Sequence, residues 1–143
     1  MNLVDANVLL YAVNEDDEKH EPARRWLDDA LSGSEVVGFA WVVLLSFLRL
    51  STKTGLFPRP LPVSAALATV RALVGEGPGI IVEPTPRHLS VLSGLLLASG
   101  TGANLTSDAH LAALALEHGA AVVTFDRDFQ RFDGVRVLVP SAG

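Results

Sequence analysis

Residues 1–13 read MNLVDANVLLYAV, and the meaning of Asp5 within them decides the fold. Leu3 and Val4 form a short apolar pair suited to a buried strand, and a helical pattern from Ala6 to Val13 starts directly behind it. Asp5 thus stands where a first strand runs into a core. A carboxylate buried there without a partner is costly enough that it either protonates or finds a cation.

Working outward, the same alternation recurs. The EDDE run at Glu15 to Glu18 leads into a helix over Lys19 to Leu31, with acids near its N-terminal end as the helix dipole favours. Val36 to Phe39 is a second buried strand, followed by a helix from Trp41 to Ser51 in which Trp41 and Phe47 are read as core. Pro58, Pro60 and Pro62 break the pattern before Val63, Ala66, Leu67, Val70 and Val74 recur at helical spacing. Gly75 to Gly79 ends that helix, and Ile80 to Val82 is a third strand. Thr85 and Pro86 read as cap and first-turn proline of a helix whose buried stripe is Leu89, Leu92 and Leu96. The SGTGAN segment is a loop, after which Thr106 or Ser107 caps a helix that Gly119 terminates. Ala121 to Phe125 is a fourth strand and Arg136 to Val139 a fifth at an edge. Short apolar strands alternating with helices predict an α/β fold, with a parallel sheet of four to five strands covered on both faces. At 143 residues, 1–143 is read as one domain.

Composition narrows the function. Cysteine is absent, so thiolate metal sites, disulfides and thiol nucleophiles are excluded, in keeping with a reducing cytosol. No basic and apolar leader is visible at the start, and no apolar stretch suits a membrane span. The net charge is −5, yet no acid falls between Glu35 and Glu76, where Arg49, Lys53, Arg59 and Arg71 make a basic stretch. An acidic protein of this kind can still carry a basic face, and ordinary solvated arginines satisfy the spacing equally well.

In open parallel sheets, ligands bind outside the carboxyl ends of the strands. Asp5 ends the first strand, Asp126 and Asp128 follow the fourth, and Asp108 lies in the first turn of a late helix. If they converge, carboxylates about 4 Å apart repel by roughly 1 to 4 kcal/mol per pair, depending on the dielectric. A divalent cation removes that conflict, and all-oxygen ligands favour Mg²⁺ or Mn²⁺. Such an ion keeps waters, leaving room for a phosphate oxygen and an attacking water, which suits phosphodiester hydrolysis. Taken singly, Asp108 also fits a helix-dipole acid, and Asp126 to Asp128 a turn with Asx hydrogen bonds.

The segments LVDANVLLYA, TSDAHLAALALEHG and VVTFDRDFQRF, in that order, resemble the PIN-domain ribonucleases, specifically the VapC-type toxins of toxin–antitoxin pairs. The resemblance implies a small α/β fold and a Mg²⁺- or Mn²⁺-dependent cytoplasmic endoribonuclease that leaves 5′-phosphate and 3′-hydroxyl ends. It further implies a cognate antitoxin and a homodimer. Carried over, Asp5, Asp108 and Asp126 are the catalytic metal ligands, Asp128 an accessory one, and Asn7 and Thr124 hydrogen-bonders that orient them. Ser46 occupies the place where many relatives carry a glutamate, which implies one firmly held metal and a second that is weak or arrives with the RNA phosphate, unless Glu35 substitutes from the strand start. Arg49 and Lys53, four apart on one helix, are candidate RNA-phosphate contacts. The stretch GLFPRPLPV, Gly55 to Val63, is a candidate antitoxin surface. The four histidines show no ligand spacing and are assigned no chemistry.

Two other families that begin with an acid after strand one fit less well. A haloacid-dehalogenase phosphatase needs a second aspartate where Asn7 stands, and a receiver domain needs a late lysine, whereas Lys19 and Lys53 are the only lysines. The remaining alternative is a PIN fold that binds RNA or protein without cutting.

Overall fold

The computed structural model describes residues 1–75, 77–100 and 102–141. Its strands are β1 (Asn2–Val4), β2 (Val37–Ala40), β3 (Gly79–Val82), β4 (Ala121–Val123) and β5 (Val137–Leu138). Its helices are α1 (Ala6–Ala12), α2 (His20–Leu31), α3 (Trp41–Ser51), α4 (Val63–Val74), α5 (His88–Ser99) and α6 (Thr106–His118). Single turns of 3₁₀-helix cover Ala103–Leu105 and Arg127–Arg131.

All five strands pair in parallel in the order β3-β2-β1-β4-β5. Right-handed crossovers put α1 to α4 on one face and α5 and α6 on the other. The order reverses beside β1, so a crevice opens between the carboxyl ends of β1 and β4. Leu3, Val4, Val122 and Val123 at that junction are fully buried, as continuous apolar strands of a sheet covered on both faces should be. The core continues through Phe39, Leu44, Phe47, Leu111, Leu114 and Phe129.

The predicted sheet is found with all five strands. Several local expectations are corrected. Trp41 is 46% exposed and does not join Phe47 in the core. Leu89 is 75% exposed, and Leu95 is the buried leucine of α5. Both helices are apolar almost all round, so their sequences mark no face. Thr106 and Ser107 do not cap α6, which is entered through the 3₁₀ turn with Leu105 at the cap position. Thr85 caps the turn before α5: its Oγ1 accepts from Arg87 N (3.2 Å), and the helix starts at His88. Gly119 does terminate α6, in the left-handed conformation (φ 65°) that glycine adopts without a Cβ penalty.

Two glycines show where backbone approach governs tolerance. A Cβ on Gly79 would stand 1.8 Å from Leu73 O, a backbone atom that cannot swing aside. On Gly94, within α5, a Cβ would meet nothing within 4 Å. Gly79→Ala is therefore expected to lower unfolding free energy by about 3 kcal/mol or more. Gly94→Ala should raise it by about 0.5–1 kcal/mol. Denaturant midpoints measured on both variants check the pair.

Candidate metal centre at the β1–β4 crevice

Asp5 is held from three sides. It is the N-cap of α1, with Oδ1 accepting from Ala6 N (2.8 Å). Its Oδ2 accepts from Thr124 Oγ1 (2.8 Å) and Asn7 Nδ2 (3.3 Å). Asn7 Nδ2 also reaches Thr124 Oγ1 (3.1 Å), and Asn7 Oδ1 accepts from Phe125 N (3.2 Å). One asparagine thus ties the first turn of α1 to the end of β4, 118 residues away in sequence. Burial pushes the Asp5 carboxyl above its usual range, the Thr124 and Ala6 hydrogen bonds pull it back, and the nearby Asp126 charge adds to the rise.

Asp126 follows β4 and caps the 3₁₀ turn after it. Its backbone N–H donates to Thr124 Oγ1 (2.9 Å), and its Oδ1 accepts from Asp128 N (2.9 Å). The Asx turn that the FDRD letters allow is therefore present, and it is also what brings two carboxylates together. Asp128 additionally lies 3.7 Å from the Arg131 guanidinium.

Asp108 arrives from the first turn of α6. It groups with Asp126 and Asp128, each offering an oxygen within 4.8 Å of the others. Its carboxyl is pushed up to about 6, by burial first and then by the charges of Asp5, Asp126 and Asp128. Among the described residues this is the one cluster of three side chains spaced to hold an ion. All three belong to the anticipated ligand set of Asp5, Asp108, Asp126 and Asp128, and Asp5 stands beside the close trio. Asp5 and Asp108 nonetheless line one cleft of about 110 Å³ with Ala6, Val42, Val43, Ser46, Ser107 and Leu111.

The donor set fits a hard divalent cation. It consists of carboxylate oxygens with no thiolate or imidazole among them, and Mg²⁺ takes oxygens at about 2.0–2.1 Å. Three carboxylates, each with an oxygen within 4.8 Å of the others, are close enough together to share one such ion. Asp108 is raised by burial first and then by the Asp5, Asp126 and Asp128 charges, which the Arg131 guanidinium beside Asp128 offsets only in part.

The other anticipated positions fall as follows. Ser46 faces the cleft from α3. Val42, Ser46 and Arg49 share one helical stripe; the first two line the cleft and Arg49 is exposed further along it. Lys53 is exposed but does not share that helix face, because α3 stops at Ser51 with Thr52 as its C-cap. The histidines, read as inert, include a linked pair. His88 Nδ1 contacts Glu117 Oε2 (2.5 Å), and His88 Nε2 contacts His110 Nδ1 (2.9 Å). Burial raises the Glu117 carboxyl, but hydrogen bonds from Thr85 and His88 outweigh it and leave Glu117 below its usual range. His110 is lowered by burial and by His88. The spacing between residues 88, 110 and 117 gave no signal of this cluster, which only the packing of α5 on α6 creates.

A five-stranded parallel sheet whose strand order reverses beside β1 defines an α/β protein with a carboxylate-lined crevice at its sheet edge. The PIN-domain family model matches residues 3–135, and the chain belongs to that family. It is 58% identical over 142 residues to Ribonuclease VapC37 of Mycobacterium tuberculosis, covering 99% of both chains. It is 40% identical over 140 residues to Ribonuclease VapC31 of the same organism, covering 98% of this chain and 99% of the relative. Among solved structures, DNA-bound VapBC from Salmonella typhimurium matches with a TM-score of 0.69 at 19% identity, covering 98% of both chains. Mycobacterium tuberculosis VapC20, described as a sarcin-ricin-loop-cleaving toxin, matches with a TM-score of 0.65 at 21% identity, covering 95% of this chain and 99% of that one. At those identities the structural likeness speaks to the fold.

Proposed function

We propose that the protein is a Mg²⁺- or Mn²⁺-dependent endoribonuclease of the VapC toxin type, acting on RNA in the cytoplasm and restrained by a cognate antitoxin. The observation that carries this reading is the convergence of Asp108, Asp126 and Asp128, with Asp5 on the same crevice. Kinship to chains named as ribonucleases supports it.

Asp108, Asp126 and Asp128 would hold the ion, and Asp5, fixed by Thr124 and Asn7, presents a carboxylate of set orientation beside them. A cation bound there would supply Lewis-acid polarisation of a phosphoryl oxygen and a more acidic water. Ser46 contributes a hydroxyl to the cleft wall without adding charge, so one ion is the resident complement. Arg49, continuing the α3 stripe, receives an RNA phosphate, and Lys53 adds charge from the following turn.

The antitoxin surface is assigned to an apolar depression of about 230 Å³ lined by Leu10, Tyr11, Leu50, Leu56, Phe57 and Pro58. Within the anticipated Gly55 to Val63 patch, Leu56 is 57% exposed while Phe57 is buried, so Leu56 is the residue a partner would meet. A homodimer belongs to the same reading and is supported by α5. That helix carries no acid, lysine or arginine and leaves Leu97 82% exposed, which suits a two-fold contact where charges would meet their own copies. No helix among the described residues is long and apolar enough to cross a membrane.

Incubating the purified protein with structured RNAs and Mg²⁺, beside Asp5→Asn, tests the function. Fragments with 5′-phosphate ends from the unaltered chain alone are expected. Equal cleavage by the variant would contradict the assignment.

A further inference from the structure

We infer that Lys19, Tyr11 and Phe125 form a nucleotide-binding subsite beside the carboxylate crevice, where Lys19 takes an RNA phosphate and the Phe125 ring stacks an unpaired base. The inference rests on the ribonuclease reading and names how that site holds its substrate.

The position of the Lys19 ammonium is the starting observation. Lys19 follows four consecutive acids, Glu15 to Glu18, and an ion pair with one of them would be the ordinary outcome. None of the ion pairs among the described residues includes Lys19. Its ammonium lies over two rings instead, 5.2 Å from the centroid of Tyr11 and 5.7 Å from that of Phe125. Those rings meet edge to face at 5.3 Å. Cation–π contact holds such a charge in place without neutralising it, so its attraction for an anion survives.

The placing of the rings ties this cluster to the crevice. Phe125 lies between Thr124, the hydrogen-bond donor to Asp5, and Asp126 of the acid trio. Its own N–H is bound by Asn7, and Tyr11 sits one helical turn beyond Asn7 on the same side of α1. Val123 and Thr124 are fully buried, whereas Phe125, partly buried against the core, keeps some exposure where the chain leaves the sheet. His20 fixes the other end, its Nδ1 2.9 Å from Tyr11 O. Asp17 Oδ1 accepts from Lys19 N (2.8 Å), which spends that acid on the backbone rather than on the ammonium. A fixed cation and a partly open ring within a turn of the acids match what single-stranded RNA requires, charge for the backbone and a flat face for a base. This cluster is closer to the acids in chain and hydrogen-bond connection than Lys53.

Binding of a fluorescein-labelled, mixed-sequence single-stranded RNA, measured by anisotropy across a salt series in an Asp126→Asn background that does not cut, tests the subsite. Lys19→Met is expected to weaken binding about fivefold and to flatten the slope of log affinity against log salt by about 0.7, the loss of one phosphate contact. Lys19→Arg should restore the slope. Phe125→Leu should weaken binding about tenfold and leave the slope unchanged. In cleavage by the chain with Asp126 intact, Lys19→Met should raise KM and leave kcat alone. Unchanged affinity and slope in Lys19→Met, failure of Lys19→Arg to restore the slope, or no RNA binding by the parent overturns the subsite. The two readings fail differently. A chain that cuts no RNA yet loses RNA affinity through Lys19→Met overturns the nuclease assignment and keeps the subsite, while RNA cutting with KM unmoved by Lys19→Met does the reverse.

Discussion

Asp126→Asn is expected to reduce RNA cleavage about a thousandfold with little change in stability, whereas Asp128→Asn should cost only about tenfold. The contrast follows from how each carboxylate is held. Asp126 accepts the Asp128 N–H through Oδ1, a bond an asparagine oxygen makes equally well, and its own N–H stays with Thr124. The variant therefore keeps the 3₁₀ turn and loses one negative charge from the trio. Asp128 is more peripheral, and part of its charge is already answered by Arg131 at 3.7 Å. Single-turnover cleavage rates with thermal melts of both variants are the measurement. Equal losses for the two would mean that the turn's geometry, and not the Asp126 charge, matters.

The second large effect concerns Asp108 and runs in two directions. Its carboxyl is raised from 3.8 to about 6 because burial and the charges of Asp5, Asp126 and Asp128 oppose its ionisation. A carboxyl with a raised folded-state pKa costs the fold nothing below pH 4, where it is protonated in both states. The cost accrues between pH 4 and 6 and is complete above 6. Asp108→Asn is therefore expected to abolish cleavage and yet stabilise the metal-free protein at pH 7. The gain is on the order of 1 kcal/mol, because solvent around a half-exposed carboxyl screens the repulsion. It should vanish below pH 4. Millimolar Mn²⁺ should raise the melting temperature of the unaltered protein and leave that of the variant nearly still, since an ion stabilises only the state that binds it. Melting curves at pH 3.5 and 7, with Mn²⁺ or with EDTA, read all three outcomes. A variant less stable than its parent at pH 7 would show that the cluster carries no unrelieved charge.

What the sequence revealed and what it concealed divide along a physical line. Asp5 and Asp126 were legible because each follows a short apolar run, and a polar residue at the end of a parallel strand sits at the ligand-binding edge. Asp108 was legible only through its place in the first turn of a helix, a weaker signal shared by many inert acids. The ordinary and the functional readings of FDRDF proved compatible, because the Asx turn is the device that sets Asp126 and Asp128 side by side.

Concealment came from two sources. The first is uniform apolarity. In WVVLLSFLRL and HLSVLSGLLLAS apolar letters occupy almost every side of the helix, so periodicity could not place Trp41 and Leu89 at the surface. The second is distance along the chain. Glu117 and His110 meet His88 only through the packing of α5 on α6, and Phe125 meets Tyr11 and Lys19 only because β4 lies beside β1, arrangements that no local pattern encodes. The departure of Lys53 from the α3 face belongs with these, since nothing in RLSTKTG fixes the last helical turn at Ser51 rather than two residues later.

Calorimetric titration of Mn²⁺ into the metal-free protein at pH 7.5, with the Asp108→Asn/Asp126→Asn double variant alongside, reaches the central claim most directly. Uptake of one ion per chain, accompanied by proton release and lost in the double variant, is the result that carboxylates gathered at the β1–β4 crevice predict. Uptake that the double variant retains, or none by either protein, would contradict it.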